Sequence, residues 1–239
     1  MINKKWRKFD ELTGKCYSNM IGSEKDGSCW QQAFELLKEI IREERQADPS
    51  CMSQLEMVDE ATDYEYDVQG WLEDCLDEID MREDYETLLR MCDDLLKMFG
   101  WPDYSGSDIK FQKVSALGAL GRNKEAVEYC RKWIQKEPEN VAASTAGVYA
   151  FIRTKEYEEA EKLAARFIPN PAECMEENEI MFTAVSKLYE AMGRKKEKRQ
   201  IDRAIKEYEE RLEEEFADFD MDDEDEYSFD DWDDDDLPF

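Results

Sequence analysis

Along most of this chain apolar residues recur at the three- and four-residue spacing that gathers them on one side of a helix. Between Cys29 and Arg45 the positions Trp30, Phe34, Leu37, Ile40 and Ile41 form such a stripe, with charged residues between them. From Tyr66 to Ile79 the stripe is Trp71, Leu72, Cys75, Leu76 and Ile79, and a second helix is expected from Arg82 to Phe99, ended by Gly100-Trp101-Pro102. Downstream, Asn178 to Met192 and Lys195 to about Phe216 make another pair joined at Gly193. The low Gly and Pro content and the Glu, Lys, Leu and Ala usage agree with helices throughout.

The middle of the chain repeats itself. Asn123-Lys-Glu-Ala-Val-Glu-Tyr-Cys-Arg-Lys-Trp-Ile is echoed by Glu156-Tyr-Glu-Glu-Ala-Glu-Lys-Leu-Ala-Ala-Arg-Phe-Ile, placing Ala126 and Ala160 thirty-four positions apart. Val114 and Val148 share that separation, and prolines close the two units at Pro138 and at Pro169 and Pro171. Over roughly 107–171 this resembles divergent repeats of the tetratricopeptide (TPR) family, without the usual first-helix Trp, Gly and Tyr. The resemblance implies that a small residue of each second helix packs on the first, and that a proline ends the unit. The expected fold is all-α: an α-solenoid of TPR-like antiparallel helical hairpins, about four units long, with a disordered acidic C-terminal tail. The expected divisions are an N-terminal helical segment over 1–60, the repeats over 61–217 and the tail over 218–239. Such a stack presents a concave surface to a protein segment. The family often clamps a peptide carboxylate with Lys and Arg, but no residue here can be matched to that clamp, so the repeats' partner stays open.

Charge and composition narrow the function. With 61 acidic residues against 32 basic, the net charge of −29 argues against direct binding to nucleic acid or to an anionic membrane. The absence of histidine removes imidazole-based catalysis and His-ligated metal sites. The seven cysteines, at 16, 29, 51, 75, 92, 130 and 174, form no C-x-x-C motif, and their odd number argues against a closed disulfide framework. They read as small buried hydrophobes of a reducing, cytoplasmic protein. Neither a signal peptide nor a membrane span is expected: the longest uncharged run, Val141 to Ile152, is too short. No enzyme, cofactor or metal site emerges. Gly118-Ala-Leu-Gly121 is expected to be a turn, lacking the Lys-Ser/Thr of a phosphate loop, and Asp218-x-Asp220-x-Asp222 fails as a calcium loop at Asp223 and Phe229. Arg194, Lys195, Lys196, Lys198 and Arg199 read as a solvated helix start, or as a seat for the acidic tail.

Sixteen of the acidic residues fall between Glu213 and Phe239, a stretch with no Lys or Arg, so more than half the net charge lies there. It also holds Phe219, Met221, Tyr227, Phe229 and Trp232, which a purely solubilising tail has no need of. Its end, Asp233-Asp234-Asp235-Asp236-Leu237-Pro238-Phe239, resembles the C-terminal tip of bacterial single-stranded-DNA-binding proteins (SSB). In that family the tip docks onto helicases, nucleases and recombination mediators of DNA replication and repair. The resemblance makes Phe239 with its free α-carboxylate the anchor, Pro238 and Leu237 its supports, and the four aspartates a steering charge. The oligonucleotide-binding barrel of that family has no counterpart in the helical pattern upstream. The leading expectation is therefore a protein–protein interaction scaffold, acting on SSB-client enzymes as decoy or adaptor, with an unknown protein on its repeats. Two alternatives are a general TPR adaptor or chaperone with a solubilising tail, and an acidic nucleic-acid mimic that blocks a DNA-binding protein.

Overall fold

A computed structural model describes residues 4–21 and 27–222, with side chains as far as Glu215. Eleven α-helices and no strand occur among the described residues. In order they are α1 (Lys4–Ile21), α2 (Ser28–Ala47), α3 (Glu56–Glu60), α4 (Val68–Met81), α5 (Tyr85–Met98), α6 (Ser107–Ala119), α7 (Asn123–Lys136), α8 (Val141–Thr154), α9 (Tyr157–Ala164), α10 (Glu179–Ala191) and α11 (Lys195–Asp222).

The N-terminal part is held by large aromatics. Trp30 of α2 stacks on Trp71 of α4 at 6.1 Å, Phe9 of α1 meets the Trp71 ring edge-on at 5.0 Å, and Trp6 stacks on Tyr66 at 5.2 Å. α1 has its own stripe of Trp6, Phe9, Thr13 and Cys16, which the periodicity reading above does not single out. The start of α4 is satisfied from a distance: the buried Asp59 carboxylate accepts the Val68 N–H at 2.6 Å and the Gln69 N–H at 3.0 Å. That answers two of the amide groups every helix N-terminus leaves open.

Smaller residues build the C-terminal part. α8 packs on α6, α7, α9 and α10, so the uncharged run Val141 to Ile152 is a central helix. Ala143, Ala146, Gly147, Val148 and Ala150 let its neighbours approach closely, and a Cβ on Gly147 would come within 2.8 Å of Ile134 and 2.9 Å of Leu163. Ala126 of α7 and Ala160 of α9, the repeated alanines, are both completely buried.

Four helix pairs close with the same turn. In α4–α5, α6–α7, α8–α9 and α10–α11 the residue before the last turn position lies in the left-handed region: Glu83 (φ 59°), Gly121 (φ 71°), Lys155 (φ 63°) and Gly193 (φ 73°). The next N–H then reaches back to the carbonyl five residues earlier: Asp84 to Ile79, Arg122 to Leu117, Glu156 to Phe151 and Arg194 to Tyr189, at 2.8–3.2 Å. This is the helix-ending motif in which a left-handed residue lets orphan carbonyls be satisfied. Gly118 itself lies inside α6, not in the turn expected for Gly118 to Gly121; the reversal is made at Gly121. Space alone does not decide the glycines. Neither Gly14 nor Gly121 has an atom within 4 Å of an added Cβ, but only Gly121 has positive φ. Gly121→Ala is expected to lose about 1 kcal/mol of stability through left-handed strain. Gly14→Ala, inside α1, is expected to gain up to about 1 kcal/mol. Urea denaturation of the two variants checks the opposite signs.

α11 continues to Asp222, beyond the end expected near Phe216 and into the segment assigned to the tail from 218. No Gly or Pro occurs after Lys195 in this helix, and Glu213-Glu-Glu-Phe-Ala contains mostly good helix formers, so nothing stops it before the Asp-rich stretch. All seven cysteines are free thiols, six of them buried and Cys51 half-buried. Burial pushes Cys92 and Cys130 up to about 12 and Cys174 to about 11. Among the described residues no helix is long and apolar enough to cross a membrane.

Candidate partner-binding surfaces

The segment expected to be a docking tip, Asp233, Asp234, Asp235, Asp236, Leu237, Pro238 and Phe239, lies outside the described residues. What the structure places is the helix leading to it. α11 lies on α10 through buried Ile201, Ala204 and Tyr208, and Arg211 donates to the Cys174 carbonyl at 2.9 Å. Past half-buried Leu212, residues Glu213 to Glu215 are exposed.

The basic cluster at the start of α11 divides in two. Arg194 is tied to Glu161 and to Glu197, and Lys198 to Asp202 at 2.8 Å. Burial alone would raise the Asp202 carboxyl, but hydrogen bonds from Lys198 and Ser186 hold it below its ordinary value. Lys195, Lys196 and Arg199 are exposed. The helix start is thus partly a structural ion-pair network and partly a solvated face.

A second polar cluster ties α6, α7 and α8 together. Glu137 accepts from Lys110 at 2.5 Å, from Trp133 Nε1 at 2.7 Å and from Asn140 Nδ2 at 2.7 Å. Burial pushes its carboxyl up, and these donors outweigh that and keep it below the usual range. A carboxylate so fully engaged is a joint between helices, poorly placed to take up a substrate proton. No group of three or more His, Cys, Asp or Glu among the described residues could hold a metal ion.

A groove of about 480 Å³ lies between α4 and α6. α6 packs along α8, and α8 along α10, but α4 and α6 are not packed along each other in this way. Leu72 and Leu76 of α4, Ile109 and Phe111 of α6, and Trp101 from the intervening loop make its apolar lining. The loop is pinned by the Gly100 N–H donating to the Ser53 carbonyl at 2.8 Å and by the Trp101 ring set edge-on to Phe99 at 5.9 Å. Gly106 has to be glycine here, since a Cβ would sit 2.9 Å from the Trp101 ring. Exposed Glu56, Glu73, Asp77 and Asp108 border the groove, and no Lys or Arg among the described residues does. Asp77 accepts from Gln112 Nε2 at 3.0 Å, whereas the buried Trp101 Nε1 and Gln112 Oε1 have no hydrogen-bond partner among the described residues.

In the sequence Gly100-Trp101-Pro102 marks only a helix stop, and no motif points to the groove. The available signal was a Trp in a loop directly after an apolar helix, a costly residue to leave half-exposed unless it covers something. No protein-family model, curated protein or solved structure matches the chain.

Proposed function

We propose that the chain is a TPR-like α-solenoid scaffold that docks onto SSB-client enzymes of DNA replication and repair through Asp233–Phe239, as decoy or adaptor. The observation that carries this reading is the terminal Asp-Asp-Asp-Asp-Leu-Pro-Phe, preceded by an acidic stretch free of Lys and Arg. The four helix pairs closed by the same left-handed turn support the stacked-hairpin part of the reading.

The chemistry of docking follows from the residues. In a chain ending at Phe239 the ring enters an apolar pocket while the α-carboxylate meets an Arg at its lip. Pro238 fixes one backbone angle and so lowers the entropy lost on binding, and Leu237 adds a second apolar contact. The aspartates accelerate encounter with a basic rim and make binding sensitive to salt. A single tip per chain competes with a multivalent SSB assembly only when a second contact raises its effective concentration.

The test is binding of the purified protein to a panel of bacterial SSB-client enzymes, beside a version lacking Phe239, with an SSB tail peptide as competitor. Binding lost without Phe239 and displaced by the peptide supports the proposal. Binding indifferent to Phe239, or none at all, reduces the tip to an acidic end of no special role.

A further inference from the structure

We infer that the groove between α4 and α6 is a docking site for a partner peptide that carries an apolar side chain between Lys or Arg residues. Its volume of about 480 Å³ falls in the range of sites that enclose several side chains. Its floor, from Leu72, Leu76, Ile109, Phe111 and Trp101, has the chemistry for a Leu or Phe.

Charge selects the flanks. Glu56, Glu73 and Asp108 are exposed at the border and take part in no ion pair among the described residues, and Asp77 meets the Gln112 amide. The cations of α6 are used elsewhere: Lys110 is tied to Glu137 and lies over Trp133, and Lys113 is tied to Asp93 and lies over Tyr129. Four carboxylates around an apolar floor with no cation of their own favour a cationic occupant and repel an anionic one. The same field excludes the chain's own Asp-rich tip and nucleic acid as occupants. The site does not depend on the tip, and Phe239 has no part in it.

The probe is a labelled peptide with a central Leu-Phe between two Lys-Arg pairs, titrated by fluorescence anisotropy into the full chain. Because a strongly acidic protein attracts any polycation, two charge-matched variants are compared: Glu73→Lys with Asp108→Lys at the groove, and Glu207→Lys with Glu209→Lys on α11. These residues are all exposed, and thermal melts establish that each variant folds. The groove variant is expected to weaken binding about tenfold or more and the α11 variant less than about twofold, while Leu-Phe to Ser-Ser in the peptide costs about tenfold. Equal weakening by both variants, indifference to Leu-Phe, or no binding would overturn the assignment.

Discussion

Trp71→Ala is expected to remove about 4 kcal/mol of folding stability, within the span for deleting a large buried aromatic. Trp71 is 1% exposed and is the ring through which α1, α2 and α4 meet, stacked on Trp30 at 6.1 Å and set edge-on to Phe9 at 5.0 Å. Truncation therefore opens a cavity between three helices and also removes two aromatic pairings, each worth about 0.5–1.5 kcal/mol. Against a total of about 5–15 kcal/mol for a typical domain, that is a large share. Trp71→Phe is the informative companion. Phenylalanine keeps most of the ring and gives up only the contact of the Trp71 indole N–H with the Cys16 sulfur. It is expected to lose about half as much or less. Guanidinium denaturation with the slope examined for each variant makes the comparison, and an alanine loss below about 1 kcal/mol would contradict the role given to this ring.

Arg45→Met is expected to cost about 2–3 kcal/mol, the range for losing charge-assisted hydrogen bonds from a partly buried group. The guanidinium donates to the Cys51 carbonyl at 3.2 Å, to the Met98 carbonyl at 2.7 Å and to the Met52 carbonyl, and it lies 5.5 Å from the Phe99 ring centre. It thus joins the last turn of α2, the loop after it and the C-terminal end of α5, where carbonyls lack helical partners and a cation is favoured. Burial lowers the Arg45 pKa, yet an arginine stays charged at any working pH. Methionine keeps the stem and its packing while leaving the carbonyls without their donor. Arg45→Lys separates charge from shape: one ammonium cannot span three carbonyls as a planar fork does, so most of the loss should persist. Full rescue by lysine, read from urea midpoints, would show that charge alone accounts for the contact.

The helices with plain stripes were legible in the sequence. Trp30, Phe34, Leu37, Ile40 and Ile41 are all buried in α2, and Trp71, Leu72, Cys75, Leu76 and Ile79 in α4, because one face of each helix meets the core. α1 was harder to read, since Thr13 interrupts its stripe and lysines crowd its start. Gly121 and Gly193 mark the hairpin turns in the sequence, but Glu83 and Lys155 adopt the same left-handed backbone with side chains that disfavour it, so there the packing of the helices decides. Asp59 acts on α4 across nine positions, a distance at which no capping pattern is visible. The groove was not legible because it is a gap in packing between α4 and α6, and a gap has no residue pattern of its own. The proposed docking tip shows the reverse: its residues are plain in the sequence, and they lie outside the described part of the fold.

The buried thiols make the molecule a recorder of its own openings. Cys16 and Cys29 sit on α1 and α2, Cys75 and Cys92 on α4 and α5, Cys130 on α7, and Cys174 in the segment that Arg211 of α11 holds. Each reacts with a thiol reagent only when its own layer separates, whereas half-buried Cys51 reacts without that step. The order in which the six are modified under native conditions therefore reads out the sequence of local unfolding among these helices.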